Sequence, residues 1–179
     1  MALFVIYGKQ SSGKTHTCWL IYNLLKYAGK ELDFIPKGLT HKPSFSEIIE
    51  EIRSHALTSS IIHGTDFRAL FDYKGKKVAI MSARDYLGNN IDDSNPYNKE
   101  SWGYFKNNMH WAKINKVDHI ICCSRLYKTS GGVRDYILEN YREAVYRWYR
   151  KNEMTGADER IKEAQRIAIE VFTDIKANV

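Results

Sequence analysis

The chain has 179 residues, of which 44% are hydrophobic, enough for one domain with a core of its own and too many for wholesale disorder. Its net charge of +6 favours phosphate-bearing partners, nucleic acid among them, but no run of five like charges forms a basic arm. No apolar stretch approaches the roughly 20 residues of a membrane span, and three cysteines outside any CxxC pair point to reduced thiols and a cytoplasmic setting.

In chain order, Leu3-Phe4-Val5-Ile6-Tyr7 reads as a buried central strand running into a glycine turn. Cys18, Ile21, Leu24, Leu25 and Ala28 recur at helical spacing, which predicts a helix from about Lys14 to Ala28, stopped by Gly29. Leu32-Asp33-Phe34-Ile35 reads as a second strand ended by Pro36, so this stretch implies a parallel α/β unit. Ser44 and Glu47 form a capping box that opens a helix with Ile48, Ile49, Ile52 and Ala56, and residues 59–63 suggest a short strand. Phe67, Ala69, Phe71 and Tyr73 alternate. With Val78, Ala79, Ile80 and Met81 they predict a hairpin across Lys74-Gly75, its first arm at a sheet edge.

Residues 87–96 read as a loop. A helix follows over about 99–115, marked by Trp102, Phe105, Met109 and Ala112, and then a strand over 119–123. After a loop at 126–132, Val133, Ile137, Tyr141, Ala144, Val145 and Trp148 recur at helical spacing and predict one long helix. Gly156 separates it from a last charged helix carrying Ile161, Ala164, Ala168, Val171 and Ile175.

The strongest chemical signal is Gly8-Lys9-Gln10-Ser11-Ser12-Gly13-Lys14-Thr15, which satisfies G-x-x-x-x-G-K-[ST] in full. Gly8 and Gly13 permit backbone angles closed to other residues, so the loop can turn its N–H groups inward around phosphate oxygens. The following helix adds its N-terminal dipole. Lys14 brings a positive charge to the β- and γ-phosphates, and Thr15 offers a hydroxyl to Mg²⁺. With an apolar strand before the loop and an amphipathic helix after it, the chain resembles the P-loop NTPase superfamily.

That resemblance implies a three-layer α/β fold with a mainly parallel sheet, here with an edge hairpin and a helical C-terminal end. It also implies binding of an Mg²⁺–nucleoside triphosphate, ATP being the expected one, and cleavage or transfer of its γ-phosphoryl group. Such proteins use an acidic residue to help hold Mg²⁺. The strand ending at Cys123 is followed by Ser124-Arg125, so Asp85, just past the strand ending at Ser82, is the first choice as metal ligand or base. Asp33, inside a strand, and Asp66, beside Gly64-Thr65 in a turn, rank behind it.

A second basic loop, with Arg125, Lys128 and Gly131-Gly132, leaves a central strand where α/β ligands gather, so Arg125 and Lys128 are candidates for a phosphate. Arg142, Arg147 and Arg150, on the predicted long helix, could close as a lid. The six histidines show no zinc spacing with the cysteines. Asn115-Lys116-Val117-Asp118 carries the letters of a guanine-reading motif but precedes a strand, the wrong place for base readout. Three uses of the nucleotide stay open. The first is a small kinase-like phosphotransferase with an unidentified acceptor, the second an ATPase driving a protein or nucleic-acid partner, and the third a non-catalytic nucleotide sensor.

Overall fold

Ala2, Leu3, Phe4, Val5 and Ile6 are all buried, a pattern that only a strand covered on both faces can show. The structure, a computed structural model, describes residues 1–9, 12–37, 41–54, 66–82, 96–124 and 133–178. The described elements run β1 (Ala2–Tyr7), α1 (Lys14–Ala28), β2 (Lys30–Lys37), α2 (Phe45–Ser54), β3 (Asp66–Tyr73), β4 (Lys76–Ser82), α3 (Pro96–Ile114), β5 (His119–Ser124), α4 (Val133–Asn140), β6 (Val145–Arg150) and α5 (Ala157–Ala177). The six strands form one sheet in the order β2-β3-β4-β5-β1-β6. β4, β5, β1 and β6 are parallel neighbours, and β3 runs antiparallel between β2 and β4.

Two cores form because successive side chains of a strand point to opposite faces. Phe4 and Ile6 join buried residues of α1, α2 and α5; Leu3 and Val5 join those of α3 and α4. On the first face Trp19 stacks on Phe67 with ring centroids 3.9 Å apart, and Tyr22 packs edge-on against Phe71 at 5.3 Å. Cys18 and Cys123 meet there as buried thiols with sulfurs 3.4 Å apart. No described helix is long and apolar enough to cross a membrane.

The expected α1 has the bounds found, and the capping box closes as predicted. The Ser44 amide donates to Glu47 Oε2 at 2.8 Å, and the Glu47 amide donates to Ser44 Oγ at 3.3 Å. The hairpin turns at Lys74 and Gly75, both at positive φ (52° and 78°), as a tight two-residue turn between twisted strands requires.

Several expectations need correction. The first arm of the hairpin is not an edge, because β2 pairs along its other side. β2 does not stop at Pro36 but continues to Lys37; β2 is itself an edge strand, where a missing N–H is tolerated. It runs in the direction of β1 but at the far end of the sheet. Pro96 belongs to α3 and not to a loop. The long helix predicted from residue 133 ends at Asn140, and Val145, Tyr146, Arg147, Trp148, Tyr149 and Arg150 form a strand alongside β1. Tyr141, Ala144, Val145 and Trp148 happen to fall at helical spacing. The run of valine and aromatics carries strand preference, and its burial obeys a period of two: Tyr149 joins the α1–α5 face, while Tyr146 and Trp148 pack toward α3 and α4. The strand and loop expected at 59–63 and 126–132, and Ala56, lie outside the described residues.

Candidate phosphate-binding site

The parallel strands fix one edge where their carboxyl ends meet. In register, Tyr7 of β1 stands between Ser124 of β5 and Arg150 of β6. The chain leaving β1 is held on both sides: the Gly8 amide donates to the Ser124 carbonyl at 3.2 Å, and the Lys151 amide donates to the Tyr7 carbonyl at 2.7 Å. The glycine loop therefore starts from a clamped position at mid-sheet.

Its two glycines are required for different reasons, and the expectation that both serve unusual backbone angles holds for one. Gly13 sits at φ 82°, ψ 25°, in the left-handed region, and caps α1. Gly8 has no positive φ; there a Cβ would come within 2.5 Å of the Lys151 carbonyl oxygen. α1 begins immediately after Gly13 with no side-chain cap and no acidic residue in its first turn, so nothing of its own neutralises the helix dipole there. The Lys14 side chain is mostly buried, and its ammonium donates to the carbonyls of Gly8 at 3.0 Å and Lys9 at 2.7 Å, bridging back over the loop. Thr17 ties its amide and its hydroxyl to the Gly13 carbonyl, at 3.1 and 3.2 Å. Ser12 Oγ is buried and has no hydrogen-bond partner among the described residues, and Thr15 is half-buried.

Groups that the sequence reading passed over surround this loop. His16 meets Glu51 of α2 at 3.3 Å, both side chains largely buried. From the connection after β6 come Lys151, 4% exposed, and Glu153, which pairs with Lys9 at 3.2 Å on the surface. Glu163 of α5 organises that connection. It accepts from the Asn152 amide at 3.1 Å and from Arg166 Nε at 2.8 Å, and the Arg166 guanidinium holds its carboxyl below the usual carboxylate range. Burial brings the Lys151 ammonium down to about 8, against the opposing pull of Glu163. A search along the sequence could reach Lys151 and Glu153 only by first recognising β6 as a strand beside β1, and the His16–Glu51 pair only by packing α2 on α1.

The other predicted residues fall as follows. Gln10, Ser11, Asp85, Arg125 and Lys128 lie outside the described residues. Asp33 lies within β2, opposite Leu70, at the far end of the sheet from the loop. Asp66 is not in a turn: it opens β3 and is buried. Because β3 is antiparallel, its start lies beside the end of β4, at the same sheet edge as the glycine loop. Strand spacings of about 4.8 Å put it roughly 14 Å along that edge from β1. On the same side of β3, Arg68 donates to Asn108 at 3.2 Å and lies over the Trp111 ring at 4.7 Å. The proposed arginine lid does not form: Arg147 and Arg150 are exposed on β6 and Arg142 lies in the preceding turn, so the three share no helix face. Asp118 of the Asn115-Lys116-Val117-Asp118 run accepts from the Lys77 amide at 2.9 Å at the opposite, amino-terminal edge. Among the described residues, no group of three or more His, Cys, Asp or Glu side chains is placed to hold a metal ion.

Comparison with protein-family models, curated protein sequences and solved structures gives no match for this chain.

Proposed function

We propose that the glycine loop is a P-loop that binds the polyphosphate of a nucleoside triphosphate, ATP first, and that the protein transfers its γ-phosphoryl group to an acceptor in the manner of a small kinase. One observation carries this reading. Gly13, in the left-handed conformation, delivers an uncapped helix N-terminus and a buried lysine to the carboxyl edge of the parallel strands. That arrangement concentrates N–H donors and positive charge where α/β proteins take their ligands.

Mg²⁺ prefers oxygen ligands and keeps several waters, so one or two protein oxygens suffice. The Thr15 hydroxyl, in the first turn of α1, fits as one, and Asp85 is proposed as the acidic partner, with Asp66 at the same edge as the alternative. When bound, Mg²⁺ would neutralise developing charge on the phosphates. The chain's own residues do the rest. Lys14 exchanges the Gly8 and Lys9 carbonyls for phosphate oxygens, the first-turn amides of α1 orient the anion, and Arg125 and Lys128 add charge from the loop after β5. Catalysis is then positioning plus charge stabilisation.

Titration calorimetry with Mg²⁺–ATP tests the binding step. The wild type should bind, and Lys14→Ala, checked by circular dichroism to remain folded, should lose tight binding; equal affinity in both would remove the assignment. Labelled ATP with nucleoside, nucleotide and oligonucleotide acceptors tests the transfer. Release of phosphate to water alone would make the protein an ATPase, and binding without turnover would make it a sensor.

A further inference from the structure

The connection leaving β6 runs along the glycine loop. The carbonyl oxygen and Cβ of Lys151 lie 2.5 and 3.3 Å from the position a Cβ would take on Gly8, and its Cε lies 3.7 Å from the same position on Gly13. One lysine stem thus spans the loop from its first glycine to its last. The residue is 4% exposed. Among the described residues its ammonium makes no hydrogen bond or ion pair, and the carboxylate that acts on it, Glu163, is already engaged by Arg166 and Asn152. A buried cation without a hydrogen-bond acceptor is unfavourable unless an anion comes to it.

We propose that Lys151 is a second cation of the phosphate site, contacting the polyphosphate that the glycine loop and Lys14 hold; this rests on the loop being a triphosphate site. Two independent features converge on it, the N-terminus of α1, which has no side-chain cap, and a buried lysine side chain whose Cε lies 3.7 Å from where a Cβ on Gly13 would stand. A polyphosphate has enough charged oxygens to engage both lysines and the helix amides at once, which a single carboxylate has not. Binding such an anion restores the charge that burial disfavours. Burial keeps this lysine near 8, so above that pH the ligand must bring a proton with it. The other titratable or charged groups around Lys151 are Lys9, Lys14 and His16 on the loop side, Glu163 and Arg166 on α5, and Arg150 and Glu153 on its own strand and connection.

The test is calorimetric titration of the full chain with Mg²⁺–ATP and with inorganic tripolyphosphate at pH 7.5 and 9, in buffers of different ionisation enthalpy. At pH 7.5, Lys151→Met, which keeps the apolar stem, should bind both ligands roughly 10- to 100-fold more weakly, the loss expected for one charge-assisted hydrogen bond. The wild type should weaken between pH 7.5 and 9 and take up protons on binding at pH 9; the variant, retaining every other group, should show a flatter profile. Wild-type affinity and pH profile in Lys151→Met, with binding lost in Lys14→Ala, would overturn the role of Lys151 alone and leave the triphosphate site standing. If the wild type binds neither ligand, both fall. Should Lys151→Met fail to fold, the wild type decides: a flat pH profile without proton uptake overturns the proposal.

Discussion

Gly8 stands where two segments of backbone come closest, and this distinguishes it from Gly13, which is glycine for its conformation. A methyl group at Gly8 would meet a carbonyl oxygen at 2.5 Å, and that oxygen belongs to backbone already fixed by the 2.7 Å bond from the Lys151 amide to Tyr7. Neither side can yield without breaking a strand-end hydrogen bond. Gly8→Ala should therefore destabilise the protein by roughly 2–3 kcal/mol, in the range of overpacked core sites. Chemical denaturation read by tryptophan fluorescence would measure it. An unchanged midpoint would mean that the two segments do not approach so closely. The motif letters reveal that residue 8 is glycine but not this cause, because the neighbour that enforces it comes from the far end of the chain.

At the scale of elements, α2 shows how local chemistry fixes a boundary. Ser44 Oγ accepts from the first turn of the helix, and its removal should lower stability by about 1 kcal/mol. Hydrogen bonds from the hydroxyl and amide of Ser44 pull the Glu47 carboxyl down to about 2. A carboxyl depressed on folding stabilises above its unfolded pKa and loses that contribution as pH falls through its folded value. The penalty of Ser44→Ala should accordingly be full above pH 4.5 and shrink as pH falls toward 2. Thermal unfolding across that range checks it; a pH-independent penalty would show that the carboxylate takes no part. Such local signals explain what the sequence made legible. The capping box, the Lys74-Gly75 turn, the continuous apolar runs of β1 and β5 and the period of α5 each lie within a dozen residues or so. β6 was hidden because the spacing of Tyr141, Ala144, Val145 and Trp148, running into it, imitates a helix, while what makes it a strand is pairing with β1. Likewise the loop of the candidate site was legible as one contiguous motif. Lys151, Glu163 and the His16–Glu51 pair were not, since only the sheet order and the packing of α2 and α5 bring them near.

For the whole molecule, the sheet order decides which segments can act together. β4 and β5 are parallel to β1 and end at Ser82 and Ser124, so both strands finish at the edge that carries the glycine loop. If the triphosphate reading holds, Asp85→Asn should lower turnover far more than nucleotide affinity, and Arg125→Ala should reduce turnover roughly 10³-fold if it stabilises the transferring group. Steady-state kinetics beside calorimetry separates the two effects, and wild-type turnover in both variants would move the chemistry elsewhere. The same sheet order bears on how the protein is made. β1 leaves the ribosome well before its partners, residues 119–124 and 145–150. Until β5 emerges, the apolar run of β1 lacks both of its pairing strands, and until β6 follows it keeps one bare edge. Nascent chains are therefore exposed to strand-edge association while the residues between β1 and β6 are made, and pairing at such long range folds slowly. The Tyr7 carbonyl waits for the amide of Lys151, so the start of the glycine loop is clamped only once residue 151 has been made. A chain interrupted before residue 151 would carry the complete motif without the clamp that shapes it.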